Sequence, residues 1–445
     1  MQKILRELPQ IDKLVQDIEF DGFNKHLITK LAKEYIASLR DDILNKKVTV
    51  IDKSLIIKEL KELYIQSTKP SLKPLINATG VILHTNMGRC TIDKEILERA
   101  SRVICNYSNL EYKQKEGKRG DRYSHISKLL SRLLGVEDAL VVNNNASAVF
   151  LILNTFAKGK EAIVSRGELV EIGGSFRIPE VMANSGAILQ EVGTTNKTKA
   201  TDYTNAISKN SSVIMKVHKS NYEIVGFSQE VPYKEIIEIA KEHNLIDYYD
   251  LGSGYIAPLP YGLSNTEDSI FDILKHNPSL ISFSGDKLFG SAQAGIIVGK
   301  KALINTLKSN QLLRMLRVDK ITLSLLEETI KVYLEEQYDL IPTLKLLNTP
   351  LEVLERRALN MQEKIGKERC QVLKTTTVIG GGTLPNKEFP TIALHIFGKA
   401  SKLERVFREK DIIGRIEQDK FLIDFRALDE GFDGVVVEVI QAVLH

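Results

Sequence analysis

The sequence predicts an α/β protein built on a mainly parallel sheet, and three observations predict it. From about residue 135 onward, short apolar runs alternate with stretches of helical spacing, as strands and their crossover helices do. Two of the apolar runs end in glycine-bounded polar turns, Asp250-Leu-Gly-Ser-Gly254 and Ser284-Gly-Asp-Lys-Leu-Phe-Gly290, and ligands of such sheets bind at strand ends. The chain has 445 residues, 43% hydrophobic and 27% charged, enough for two or three domains with a large core.

The pattern divides into a helical segment over 1–70, a large α/β domain over 71–340 and a small α+β domain over 341–445. In the first segment Leu14-Val15, Ile18 and Phe20 form an apolar patch. Leu27, Leu31, Tyr35 and Leu39 recur at helical spacing between His26 and Leu44. Ser54 is placed to cap a third helix through Leu63, with Ile56, Ile57, Leu60 and Leu63 inward. The pattern leaves two readings of 1–70 open, a packing or dimerisation module and a macromolecule-binding module. Prolines at 70 and 74 then break the helical pattern.

Next comes Ile76-Asn-Ala-Thr-Gly-Val-Ile-Leu-His-Thr-Asn-Met-Gly-Arg89, a short strand interrupted by glycines and polar residues. Arg89 is either a cation turned into a site or a plain surface arginine. Between Glu111 and Lys128 six Lys and Arg residues face three acids, a local basic patch that the net charge of +4 conceals. Its loop Gly117-Lys-Arg-Gly-Asp-Arg122 suits phosphate groups, or is a solvated charged loop. Strands are expected at Ala139–Asn143, Glu161–Ser165, Ala187–Gln190, Ser212–Val217, Leu245–Asp250, Leu280–Phe283 and Ala292–Gly299, with a helix over Pro232–His243.

After the first of these strands a helix opens at Asn144, with Asn145 or Ser147 able to cap it. A helix start directly after a strand offers backbone N–H groups and a favourable dipole to a phosphate. Asp250 ends its strand and points into the crevice, while Asp247, an odd number of residues away, faces the other side. Arg314 and Arg317, three apart, would share a helix face and clamp one anion. Thr375–Pro390, rich in glycine and proline, reads as a connector. Thr391–Phe397, Ile412–Ile416 and Phe421–Phe425 read as strands, Lys402–Lys410 and Phe432–Leu444 as helices.

Several function classes fall away. The mild excess of 61 Lys+Arg over 57 Asp+Glu does not by itself predict nucleic-acid binding. Cys90, Cys105 and Cys370 form neither a disulfide framework nor a zinc spacing. The charged N-terminus lacks a signal-peptide core, and no apolar run is long enough to span a bilayer, so a cytoplasmic protein is expected, without a membrane partner.

Three features converge on one chemistry: a helix start for a phosphate (Asn145, Ala146, Ser147), an acid at a strand end (Asp250), and Lys287 after a later strand, with Ser284 beside it. In this order they form the constellation for pyridoxal 5'-phosphate (PLP), with Lys287 as Schiff base, Asp250 on the pyridinium nitrogen and the helix dipole on the phosphate. The other reading of Lys287 is a loop lysine paired with Asp286.

The motifs Asn77–Arg89, Tyr107–Tyr112, Gly117–His125, Val141–Ala146, Ser165–Gly174, Lys216–Tyr222, Asp250–Gly254 and Ser284–Gly290 resemble the bacterial selenocysteine synthase family, the L-seryl-tRNA(Sec) selenium transferases. The resemblance runs through essentially the whole chain. It departs from the family pattern at Gly290-Ser-Ala-Gln293, Cys90 and Lys113. It implies a fold-type I PLP-dependent transferase with an N-terminal helical domain that contacts tRNA, a cytoplasmic location and assembly as a ring of dimers. The implied activity converts L-seryl-tRNA(Sec) to L-selenocysteinyl-tRNA(Sec) with selenophosphate, by way of an aminoacrylyl-tRNA stage. Lys287 matches the family's Schiff-base position, and the absence of a free carboxylate on the substrate leaves Arg89, Arg314 and Arg317 for the anionic selenium donor. The competing readings are a PLP-dependent lyase or aldolase acting on a free amino acid or sugar acid, and a tRNA-binding assembly protein without chemistry.

Overall fold

A computed structural model describes residues 2–172, 176–265, 268–384 and 387–444. The chain divides into two compact units, Met1–Pro74 and Leu75–His445.

The first unit is helical. Its two long helices are Lys25–Leu44 and Lys53–Thr68. Asn24 caps the first by accepting from the Leu27 amide at 3.0 Å. Asp52, not Ser54, caps the second, accepting from the amides of Ser54 and Leu55. Its carboxylate precedes the first turn, where the orphan amides point. The helix also runs five residues past Leu63. The buried stripe of the first long helix is Ile28, Ala32, Ile36 and Ile43, one position on from the Leu27–Leu39 series, which flanks it. Ile28, Ala32 and Ile36 pack with Leu14, Phe20, Ile56 and Leu60, whereas Ile18 is exposed.

The second unit holds a seven-stranded sheet. Its strands are β1 Asp138–Val142, β2 Glu161–Ser165, β3 Ile188–Val192, β4 Ser211–Val217, β5 Ile246–Gly252, β6 Leu280–Ser284 and β7 Gly295–Gly299. The spatial order is β1-β7-β6-β5-β4-β2-β3. Every neighbouring pair is parallel except β6–β7 and β7–β1. Apart from the edge strand β3, the strands are buried nearly throughout, and alternate side chains enter two cores, one around Ile214, Ile281 and Ile296, the other around Val213, Leu280 and Ile297. A sheet with apolar cores on both faces is what the strand–helix alternation predicts.

The C-terminal part carries a four-stranded antiparallel sheet of β8 Cys370–Val378, β9 Glu388–Ile396, β10 Arg415–Glu417 and β11 Lys420–Asp424, in the order β8-β9-β11-β10. The stretch read as a connector, 375–390, is thus strand at both ends, with Thr376 paired to Pro390. Glycine and proline masked the strand signal there; the stretch between the strands includes Gly380, Gly381 and Gly382, all at positive φ. Among the described residues no helix is long and apolar enough to cross a membrane.

Candidate active site

The hairpin between antiparallel β6 and β7 carries Lys287. The Gly285 amide donates to Ala294 O, the Ser291 amide to Gly285 O and the Gly290 amide to Lys287 O, all at 2.8–2.9 Å. A side chain at Gly285 would meet Ala292 O at 2.6 Å, and one at Gly290 would strike Ile341, so both positions need glycine. The hairpin holds Lys287 only 4% exposed. Its Nζ lies 3.9 Å from where a Cβ would sit on Gly252 and 3.8 Å from the corresponding point on Gly382. Ser284 is buried at the end of β6, opposite Gly295.

Asp250, at the carboxyl end of β5, is also 4% exposed. Its Oδ1 accepts from Asn145 Nδ2 at 2.7 Å and from the Gly252 amide at 3.1 Å. Burial pushes its pKa up; the Asn145 and Gly252 hydrogen bonds and the charge of Lys287 pull it only part of the way back. Asp247 faces away, as its odd spacing predicts: Tyr233 Oη, Ser279 Oγ and the Ser279 amide all donate to it within 2.8 Å. That is a structural carboxylate, and Asp250 alone reaches the Lys287 side.

The helix Asn145–Phe156 opens directly after β1. Its cap is Asn144, whose Oδ1 accepts from the Ser147 amide at 2.8 Å. This corrects the expectation of Asn145 or Ser147 as cap. The reason is one of register: Asn144 has extended backbone and precedes the first helical residue. Asn145 is thereby released to hold Asp250, and its Oδ1 is a buried acceptor without a donor among the described residues. The amides of Asn145 and Ala146 have no intrahelical acceptor, as at any helix start.

These residues fit pyridoxal phosphate. A buried lysine amine faces space that two glycines keep open, a buried carboxylate with an upshifted pKa gains from a protonated ring nitrogen set against it, and a helix start tied to that carboxylate through Asn145 suits the phosphate.

The three arginines are placed differently. Arg89, at φ +61, is no plain surface residue: its Nη1 sits 2.6 Å from Asp286 Oδ2, beside Lys287. Asp286 thus has a guanidinium partner of its own in Arg89. Two departures from the family pattern also meet here, since the Cys90 thiol donates to Ser291 O at 3.0 Å. Burial, followed by the nearby Asp286 charge, pushes that thiol's pKa up to about 12.

Arg314 and Arg317 do not share a helix face. The helix there is only Leu313–Leu316, and Arg317 is extended and pairs with Val142 beside the end of β1. The two nonetheless line one cavity of about 370 Å³ together with Arg119, Arg122, Lys308, Glu111 and Asp121. Glu111 anchors this group: Arg122 at 2.6 Å, Arg119 at 3.3 Å and Arg317 at 3.9 Å surround it. Arg122 above all, by hydrogen bond and charge, holds its carboxyl below the usual range, against the opposing pull of burial. The basic loop is thus a short hairpin, Tyr112–Lys113 with Lys118–Arg119, pinned by its own acid.

Sequence reasoning missed Asn144, Ser220 and Gly382. The run Gly380-Gly-Gly382 was a visible signal, read there only as irregular chain.

Comparison with known proteins identifies relatives of the chain. The family model for L-seryl-tRNA selenium transferase (SelA) matches residues 75–429. The chain is 58% identical over 442 residues to an L-seryl-tRNA(Sec) selenium transferase of Aliarcobacter butzleri, covering 98% of each chain. It is 54% identical to one of Sulfurimonas denitrificans, covering 99% of each. Among solved structures, a D-glucosaminate-6-phosphate ammonia-lyase superimposes with a TM-score of 0.62 at 16% identity, over 86% of this chain and 97% of that one. At that identity the likeness speaks for the fold.

Proposed function

The chain belongs to the L-seryl-tRNA selenium transferase family, and we propose that it converts L-seryl-tRNA(Sec) to L-selenocysteinyl-tRNA(Sec) with pyridoxal 5'-phosphate as cofactor and selenophosphate as selenium donor. The observation that carries this reading is the convergence of Lys287, Asp250 and the Asn145 helix start at the carboxyl edge of the sheet in a chain at least half identical to named transferases along its length.

Bound pyridoxal phosphate supplies an electron sink for the carbanion formed at the seryl α-carbon. Lys287 Nζ anchors the cofactor and then carries the α-proton. Asp250 holds a proton on the ring nitrogen, and Asn145 fixes the rotation of its carboxylate. The amides of Asn145 and Ala146 take the phosphate end, the Ser147 amide being held by the Asn144 cap, with Ser284 flanking the lysine hairpin. The hydroxyl leaves the β-carbon as water with the proton carried by Lys287; selenophosphate then adds there through selenium as a proton returns to the α-carbon, and hydrolysis of the Se–P bond by water releases phosphate. Arg314 and Arg317 hold the selenium donor in the cavity they share, with Arg89 contributing from beside Lys287.

In this reading residues 1–70 contact the tRNA, 71–340 hold the cofactor and 341–445 form the small domain. The chain acts in the cytoplasm as a homo-oligomer, a ring of dimers. The test is the visible absorption spectrum of the purified protein titrated with seryl-tRNA(Sec) and separately with free L-serine. A change with seryl-tRNA(Sec) alone supports the transferase. A change with serine alone makes the protein a lyase, and no cofactor band at all removes the role given to Lys287.

A further inference from the structure

We propose that the Ser220 hydroxyl donates to the ester carbonyl of the tRNA-linked seryl group, which makes Ser220 a specificity-determining residue for an esterified over a free amino acid; the inference rests on the seryl-transfer reading above. Ser220 follows β4 by three residues and is 1% exposed, and its Oγ meets no hydrogen-bond partner among the described residues. A buried hydroxyl with nothing to bond lowers stability, so its presence asks for a ligand.

The surroundings point to where that ligand sits. A Cβ on Gly382 would lie 3.7 Å from Ser220 Oγ and 3.8 Å from Lys287 Nζ; one on Gly252 would lie 3.7 Å from Ser220 Cβ and 3.9 Å from Lys287 Nζ. The two glycines thus keep open the space between hydroxyl and amine. Gly382 ends a run of three glycines at φ +86, +65 and +68. Side chains on the first two would collide with Val81 and press on Leu83. The run therefore fits, as glycine only, between the 81–83 segment and the lysine.

The seryl group on tRNA brings an α-amine, which must reach the Lys287 position, and a neutral ester carbonyl two bonds away. A free amino acid would bring a carboxylate there, whose charge calls for a guanidinium. A single hydroxyl donor matches the neutral carbonyl instead. When the α-proton leaves, negative charge spreads onto that carbonyl oxygen, and a donor already aimed at it favours the step. No bond is made or broken at Ser220.

The experiment is Ser220→Ala in the holoprotein, with steady-state kinetics on seryl-tRNA(Sec), the absorption spectrum before substrate, and thermal unfolding after cofactor removal. The expected result is a fall in kcat/KM of about 10- to 100-fold, an unmoved cofactor band, and a melting temperature equal to or above that of the unsubstituted protein, because an unsatisfied buried group is gone. An unchanged kcat/KM overturns the assignment. So does a band that shifts before substrate is added, which would give the hydroxyl to the cofactor, or a clear drop in melting temperature, which would make it structural. If the unsubstituted protein neither turns over seryl-tRNA(Sec) nor responds to it spectrally, the transferase reading fails and this assignment with it. A responding protein with an unaffected Ser220→Ala variant removes this assignment alone.

Discussion

Two lysines are buried at the carboxyl edge of the large sheet, and they are buried for opposite reasons. Lys216, near the end of β4, lies 3.1 Å from Glu168 and 3.6 Å from Glu230, and also donates to Val231 O at 3.1 Å. Glu168 is itself 3% exposed and accepts from the Val217 amide. Burial alone would lower the Lys216 pKa, but the two carboxylates outweigh it and raise the pKa. Lys287 instead lies where its charge acts on Asp250, and two glycines, Gly252 and Gly382, leave room beside its amine. A buried lysine locked between two carboxylates has a structural role, whereas one with room left beside its amine can meet a ligand.

That contrast can be broken most directly at Lys287. Lys287→Ala should lower turnover of seryl-tRNA(Sec) by at least about 10³-fold, on the scale of a lost general base, with little change in the melting temperature. Lys216→Met should do the reverse. Leaving Glu168 buried and unpaired costs about 3–5 kcal/mol, visible as a lower denaturant midpoint, while the folded fraction keeps its cofactor band. Adding Glu168→Gln to Lys216→Met should recover part of that loss, and additive losses would mean that the pair is not coupled.

Smaller effects sharpen the picture. Asp250→Asn should reduce kcat by about 10²-fold through loss of the ring-nitrogen partner. Arg314→Ala should raise the KM for selenophosphate by about 10-fold and leave the spectrum of the resting protein unchanged; equal selenium kinetics would remove Arg314 from the donor site. The smallest effect is a pH dependence of stability in cofactor-free protein. Asp250 has a raised pKa in the folded state, so the fold binds its proton more tightly than the unfolded chain does. Stability from this group is then greatest below the ordinary carboxylate range and falls as pH rises through the raised value. Asp250→Asn should flatten that slope in thermal unfolding measured between pH 3 and 7, values chosen to span roughly the carboxylate range.

What could be read without coordinates follows from local periodicity and turn chemistry. The strands β1, β2, β4, β5 and β6 were legible because each is a short apolar run of uniform burial, bounded by turn residues. Asp250 and Lys287 were legible because each stands at such a boundary, and the odd spacing of Asp247 from Asp250 correctly predicted opposite faces. The helix caps were misread by one to three residues, at Asn144 and Asp52, since neighbouring Asn, Asp and Ser residues offer equivalent cap chemistry until the register is known.

The sequence by itself determined the α/β architecture and the family and marked the candidate residues of the site, because these rest on patterns carried by neighbouring residues. Only the tertiary structure decided which cation meets which acid. It paired Arg89 with Asp286 across 197 positions, gathered Arg317, Arg119 and Arg122 around Glu111 in a cavity that Arg314 also lines, and brought Gly382 and Ser220 to Lys287 from distant strand ends. Such contacts are set by how strands stack into one sheet, and hydrophobic periodicity carries no information about the partners of a polar group.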